Sequence, residues 1–104
     1  MNNYHIDITE PAENDLREIG HYISRELLEP AIANKVVEKI GDAILTLEEL
    51  PLRNSLVTDE KLSKRGIRKL LIDNYIVFYV VSEQLRTVII IRILYSRRDW
   101  LNLI

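Results

Sequence analysis

GIRKLLIDNYIVFYVVSEQLRTVIIIRILY, residues 66–95, decides the fold. From Gly66 onward, β-branched and aromatic residues dominate, and they fall into three runs: Ile67 to Ile72, Tyr75 to Val81 and Thr87 to Tyr95. Asp73-Asn74 and Ser82-Glu83-Gln84-Leu85-Arg86 supply turn chemistry between them, which predicts an antiparallel meander. Val88-Ile89-Ile90-Ile91 is apolar on both faces, so the last strand is expected to be central and covered on both sides.

Upstream, the period changes. Ala12, Leu16, Ile19, Ile23 and Leu27 recur at three and four residues and predict a helix over 10–28, with Thr9 as its N-cap and Pro11 in its first turn. Pro30 stops this helix and opens a second over about 30–50, whose inner stripe is Val37, Ile40, Ile44 and Leu47. A connection this short predicts an αα-hairpin. Tyr4 to Thr9 alternates apolar and polar residues and reads as a first strand. Residues 51–65, PLRNSLVTDEKLSKR, follow neither period and read as one long loop, which in a small domain is usually functional or mobile. The order is β-α-α-β-β-β. The expected class is α+β, an antiparallel sheet with an αα-hairpin packed on one face, in a single domain spanning 1–104.

Composition excludes several chemistries. The chain of 104 residues is 47% hydrophobic and 29% charged, a globular balance, and has no cysteine for a disulfide, a thiolate metal site or a thiol nucleophile. No apolar run reaches the ~18 residues that span a bilayer, and the start, Met1-Asn2-Asn3-Tyr4-His5, lacks a signal-peptide pattern, so a cytoplasmic protein is expected. Gly20, Gly41 and Gly66 are isolated and make no phosphate-cradling loop; His5 and His21 stand apart from any carboxylate cluster. No metal and no cofactor are expected.

The net charge of −2 conceals a division. Residues 1–52 hold four cations against eleven anions, a balance of −7, whereas residues 53–104 hold ten against five, a balance of +5. Such asymmetry points to one binding face. Eight of the ten cations in the second half fall in three groups: Lys61, Lys64, Arg65, Arg68 and Lys69; Arg92; and Arg97-Arg98. Alternation along the last strand sets Arg92 with Ile90 and Leu94, away from Ile89, Ile91 and Ile93, which are expected to face the helices. A structural role for Arg92, paired to a carboxylate such as Asp99, is the competing expectation. Basic side chains beside Tyr75, Tyr79 and Tyr95 suit either RNA or an acidic protein surface.

Several segments resemble the RelE/ParE toxins of type II toxin–antitoxin modules, also called plasmid stabilisation proteins. ITEPAENDLREIGHYI (8–23) is similar to the family's first helix, LEELPLR (47–53) to the end of its second, and GIRKLLIDNYIVFYVV (66–81) and VIIIRILYSRRDW (88–100) to its strands. The resemblance implies a growth inhibitor neutralised by a cognate antitoxin protein, with which it forms a hetero-oligomer. Exposed apolar residues of the hairpin such as Leu28, Ile32 or Leu45 are then candidate antitoxin contacts.

Two activities occur in this family. One branch cleaves mRNA on the ribosome; the other is not enzymatic and acts against DNA gyrase. An mRNA interferase here would use Arg65, Arg68, Arg92 and Arg97 around a phosphate. In the nuclease branch, an arginine commonly follows the tyrosine of the segment that here reads Tyr75-Ile76-Val77-Phe78-Tyr79; Ile76 stands in its place. Leu103 falls where that branch has a C-terminal tyrosine. Arg97-Arg98-Asp99-Trp100 is more similar to the gyrase branch, which is the expected one. Its target-binding residues would be Lys64, Arg65, Arg68, Lys69, Arg92, Tyr95, Arg97, Arg98 and Trp100. A third reading, a non-toxic binding remnant that keeps only the antitoxin-docking fold, belongs to another class.

Overall fold

Thr9 turns the chain from strand to helix with one side chain. Its hydroxyl donates to the Ile90 carbonyl (2.7 Å) and accepts from the Ala12 amide (3.4 Å), so it caps the first helix while tying it to the sheet. The computed structural model describes residues 3–104. Met1 and Asn2, part of the stretch read above for a targeting signal, lie outside the described residues.

Strand β1 (His5–Ile8) leads into α1 (Glu10–His21), which continues as a π-helical turn over Tyr22–Glu26. Leu28, at φ +55°, reverses the chain into α2 (Pro30–Leu45). Helices α1 and α2 pack side by side. At their contact a Cβ on Gly20 would lie 3.2 Å from Val37 Cγ2, so the lack of a side chain at Gly20 permits the approach. Short 3-10 turns at Thr46–Glu48 and Pro51–Arg53 follow.

The expected loop 51–65 contains a further helix, α3 (Glu60–Lys64), capped by Asp59 Oδ1 accepting from the Leu62 amide at 3.1 Å. Five residues are too few to show a helical period. Gly66, at φ +77°, then turns the chain into β2 (Arg68–Ile72), β3 (Tyr75–Ser82) and β4 (Thr87–Tyr95).

The sheet order is β1-β4-β3-β2. The last three strands form the expected meander, but β1 pairs parallel to β4, from His5↔Thr87 to Ile8↔Ile90, so the sheet is mixed. The reason is the crossover. The chain leaves β1 through the helical layer and re-enters at the far edge as β2; two hairpin reversals then bring β4 back beside β1, running in the same direction.

A bulge also changes the faces of β4. The register steps from Phe78↔Arg92 to Tyr79↔Ile90, which leaves Ile91 unpaired. Val88, Ile90 and Ile93 therefore enter the core beneath the helices, where Ile89, Ile91 and Ile93 were expected. This front core is closed by Ala12, Ile40, Ile44 and Leu47. The back of the sheet carries a second, smaller apolar cluster of Ile67, Ile76, Phe78 and Leu94, covered by Val57, by Leu62 of α3 and by the C-terminal Trp100, Leu103 and Ile104. Strands β3 and β4 are thus central and buried on both faces.

Candidate functional site

Most of the candidate cations sit towards the two ends of the sheet. At one end α3 presents Lys61, Lys64 and Arg65, all exposed, with Lys64 Nζ 3.1 Å from Glu60 Oε1. Arg68 follows on the helix-covered face, opposite Tyr79 in the register. Its Nη1 donates to the carbonyls of Asn54 (2.6 Å) and Leu52 (3.4 Å), which anchors the segment after α2. The Tyr79 hydroxyl joins the same anchor by donating to the Pro51 carbonyl at 2.6 Å. Lys69 is opposite Phe78 and so lies on the back face.

At the other end, β4 finishes with Tyr95, whose ring meets Tyr75 edge-on at 5.8 Å. Burial, with Tyr95 and Tyr22 nearby, raises the Tyr75 phenol above its ordinary pKa. Arg97 and Arg98 follow, both exposed. A 3-10 turn over Trp100–Asn102 then folds the chain across the back of the sheet, and Trp100 lies on Phe78 with ring centroids 5.1 Å apart.

Arg92 belongs to neither group. Beyond Ile90 the flank of β4 is no longer paired by β1, and Asp15 of α1 occupies it. Asp15 Oδ2 accepts from Arg92 Nε (2.7 Å) and from the Ile93 amide (3.0 Å), and Oδ1 accepts from Arg92 Nη2 (2.9 Å). Arg92 Nη1 donates to the Leu103 carbonyl at 2.6 Å. Asp15 is 8% exposed and is the one buried charged residue among those described. Its hydrogen bond raises the pKa of Arg92 above the usual guanidinium value. A carboxylate does hold Arg92, but it comes from α1 and not from Asp99.

Arg65, Arg68, Arg92 and Arg97 therefore do not converge on one point. Arg68 and Arg92 lie on opposite faces and each is bound to protein oxygens. Arg68 is level with Tyr79, four residues from the Tyr75–Tyr95 row that precedes Arg97, which is about 13 Å along the strands. The middle of the back face is apolar, with Lys69 and Arg92 flanking Phe78 on either side: Ile76 is 6% exposed and packs with Phe78 and Leu94. Among the described residues no group of three His, Asp or Glu side chains comes together as a metal site would require.

Two features escaped the sequence reading. Asp15 stands three residues after Ala12 and four before Ile19, a carboxylate on the inner side of an apolar stripe, and that position was the available signal. A groove of about 590 Å³ opens between α1 and the end of β4, lined by Tyr22, Leu27, Tyr75, Tyr95 and Arg98. It is assembled from both halves of the chain and has no signature in either.

Residues 6–100 match the family model of the ParE toxin of the type II toxin–antitoxin system parDE. No curated protein matches the chain by sequence. Among solved structures, the chain is similar to one of the chromosomal ParDE system of P. aeruginosa, at 22% identity and a TM-score of 0.74, covering 93% of this chain and 100% of that one. It is also similar to a chain of the RelBE2 toxin–antitoxin complex of Mycobacterium tuberculosis, at 25% identity, a TM-score of 0.63 and coverage of 91% and 93%. A chain of the intact E. coli RelBE complex, at 19% identity and a TM-score of 0.63 over 91% and 99%, shares the fold. With the family model spanning nearly all of its length and the same layered sheet in these solved structures, the chain belongs to the ParE family of type II toxin–antitoxin toxins.

Proposed function

We propose that this toxin acts stoichiometrically on DNA gyrase, without cleaving RNA, and that a cognate antitoxin holds it inactive. The observation that carries this reading is the apolar interior at Ile76. In-line attack of an RNA 2′-hydroxyl on the adjacent phosphate needs cations around the phosphate and a group to take the proton. Where the nuclease pattern would set an arginine, Ile76, Phe78, Leu94 and Trp100 fill the space. The candidate cations not bound to protein oxygens within the sheet are peripheral: Lys61, Lys64 and Arg65 at one end, Lys69 on the edge strand β2, and Arg97 and Arg98 at the other end. Cations spread along a rim suit an extended acidic surface better than one reacting phosphate.

The antitoxin reading is supported by the solved RelBE complexes, each a toxin–antitoxin pair. It is also supported by the apolar residues that the helical hairpin leaves in solvent. Leu28 is 78% exposed, and Ile32 and Leu45 about half exposed. An amphipathic partner segment would bury them.

Purified protein incubated with gyrase and supercoiled plasmid tests the target. The expected result is inhibition of supercoiling with trapped, cleaved DNA, weakened by replacing Arg97 and Arg98 with alanine. Unaltered supercoiling at excess toxin overturns the reading. Cleavage of mRNA that depends on ribosomes would replace it with the interferase activity.

A further inference from the structure

Trp100, Leu103 and Ile104 cover the back cluster with only a three-residue 3-10 turn and its own short-range backbone bonds behind them. So short a segment has little intrinsic helical stability. The strong directional contact that reaches it from the body of the fold is Arg92 Nη1 on the Leu103 carbonyl. Arg92 can make that contact because Asp15 fixes the Nε–Nη2 edge of the guanidinium, leaving Nη1 for Leu103. Asp15 is in turn fixed by the Ile93 amide and by its place on the buried side of α1. The chain of contacts runs from the helical layer, around the unpaired flank of β4, to the opposite face of the sheet.

We propose that Asp15 is a positioning residue for the C-terminal tail: through Arg92 it seats residues 100–104 over Phe78 and so sets how Arg97, Arg98 and Trp100 are presented. Arg97 and Arg98 lie between two fixed points, the end of β4 and the seated turn, so their direction follows from the seating. The importance of that presentation rests on the target reading above; the seating itself does not. By linkage, whatever grips α1 strongly enough to move Asp15 changes the tail, and a partner that captures the tail changes α1 by the same free energy.

Trp100 is the only tryptophan in the sequence, so its emission reports the seating directly. The test uses the full chain with Asp15→Asn and, separately, Arg92→Lys, and Glu13→Gln on the exposed side of α1 as control. Lysine keeps the positive charge but cannot present a fork to Asp15 and a third N–H to Leu103. In both variants Trp100 emission should move to longer wavelength. The amides of Leu103 and Ile104 should exchange about tenfold faster, as loss of one charged hydrogen bond implies. The amides of Val77 and Phe78 should keep their protection, and the control should match the parent protein.

Unchanged emission and unchanged exchange at Leu103 and Ile104 in either variant overturn the proposal. So does acceleration that is uniform over β3 and the tail, because the pair would then only stabilise the fold. These readouts need no gyrase. A released tail in a protein whose parent leaves gyrase untouched keeps the positioning role and removes the target. With an active parent, the variants should inhibit gyrase about tenfold less at intact Arg97 and Arg98.

Discussion

Helices of 12 and 16 residues cover one face of the sheet, whereas a five-residue helix and a three-residue 3-10 turn cover the other. The front core draws on β1, both long helices and every strand of the meander. The back cluster draws on strands that the front already holds in place, and its cover is local. The difference separates two tasks. The front fixes the fold; the back carries the exposed cations of α3 and the tail on short covering segments, five and three residues long. Surfaces that must engage a partner are usually drawn from such low-stability regions.

The sharpest way to break this division is to remove bulk from each side in turn. Ile40 is fully buried at the centre of α2. Ile40→Ala should cost about 4 kcal/mol, from lost transfer energy and an unfilled cavity, seen as an earlier midpoint in urea followed by circular dichroism. Trp100→Ala on the back should cost about 2 kcal/mol, less than a fully buried tryptophan, because Trp100 is only half-buried. Its far-UV spectrum should remain that of the parent. If Trp100→Ala proved the more damaging, the back cluster would be part of the folding core.

The front core was largely legible in the sequence because its contacts follow two simple periods. Ala12, Ile40 and Ile44 lie on helical stripes, and Val77 and Tyr79 alternate within their strand. The parallel pairing of β1 was not legible, since alternation reveals that a strand exists and not which neighbour it takes. The faces of β4 were misread for a specific reason. One unpaired residue, Ile91, resets the alternation, and a run of four apolar residues gives no sign of where the extra residue lies. The candidate site suffered more. Sequence gathers Arg65, Arg68, Arg92 and Arg97 by charge alone, while the fold assigns Arg68 to the Asn54 carbonyl and Arg92 to Asp15, each by contacts across more than ten residues.

Tyr79 joins the two regions and offers a finer test. Its ring is in the front core, and its hydroxyl binds the Pro51 carbonyl and accepts from Asn54, at the start of the segment leading to α3. Tyr79→Phe should cost about 1 kcal/mol at neutral pH, since the Pro51 carbonyl loses its donor. Burial raises this phenol above 10.0, with Asn54, Arg68 and Arg53 opposing. A raised acid holds its proton more firmly when folded, so its contribution is complete below pH 10 and is lost as pH rises through the folded value. Stability should fall on that alkaline limb in the parent and fall less steeply in Tyr79→Phe. Identical limbs would mean that the hydroxyl is not protected by the fold.

The smallest effect is the most informative about the cations. Lys64 and Glu60 form an i,i+4 pair with side chains 74% and 81% exposed. A pair so wet contributes at most about 0.5 kcal/mol, so Lys64→Gln should leave the urea midpoint nearly unchanged. The same substitution removes one charge from the rim, and if that rim meets an acidic surface it should slow association, most visibly at low salt. Lys64→Gln is therefore expected to move association and not stability, whereas Ile40→Ala moves stability. A Lys64→Gln protein that lost stability but associated as before would assign the α3 cations to the fold and leave the target surface to Arg97 and Arg98.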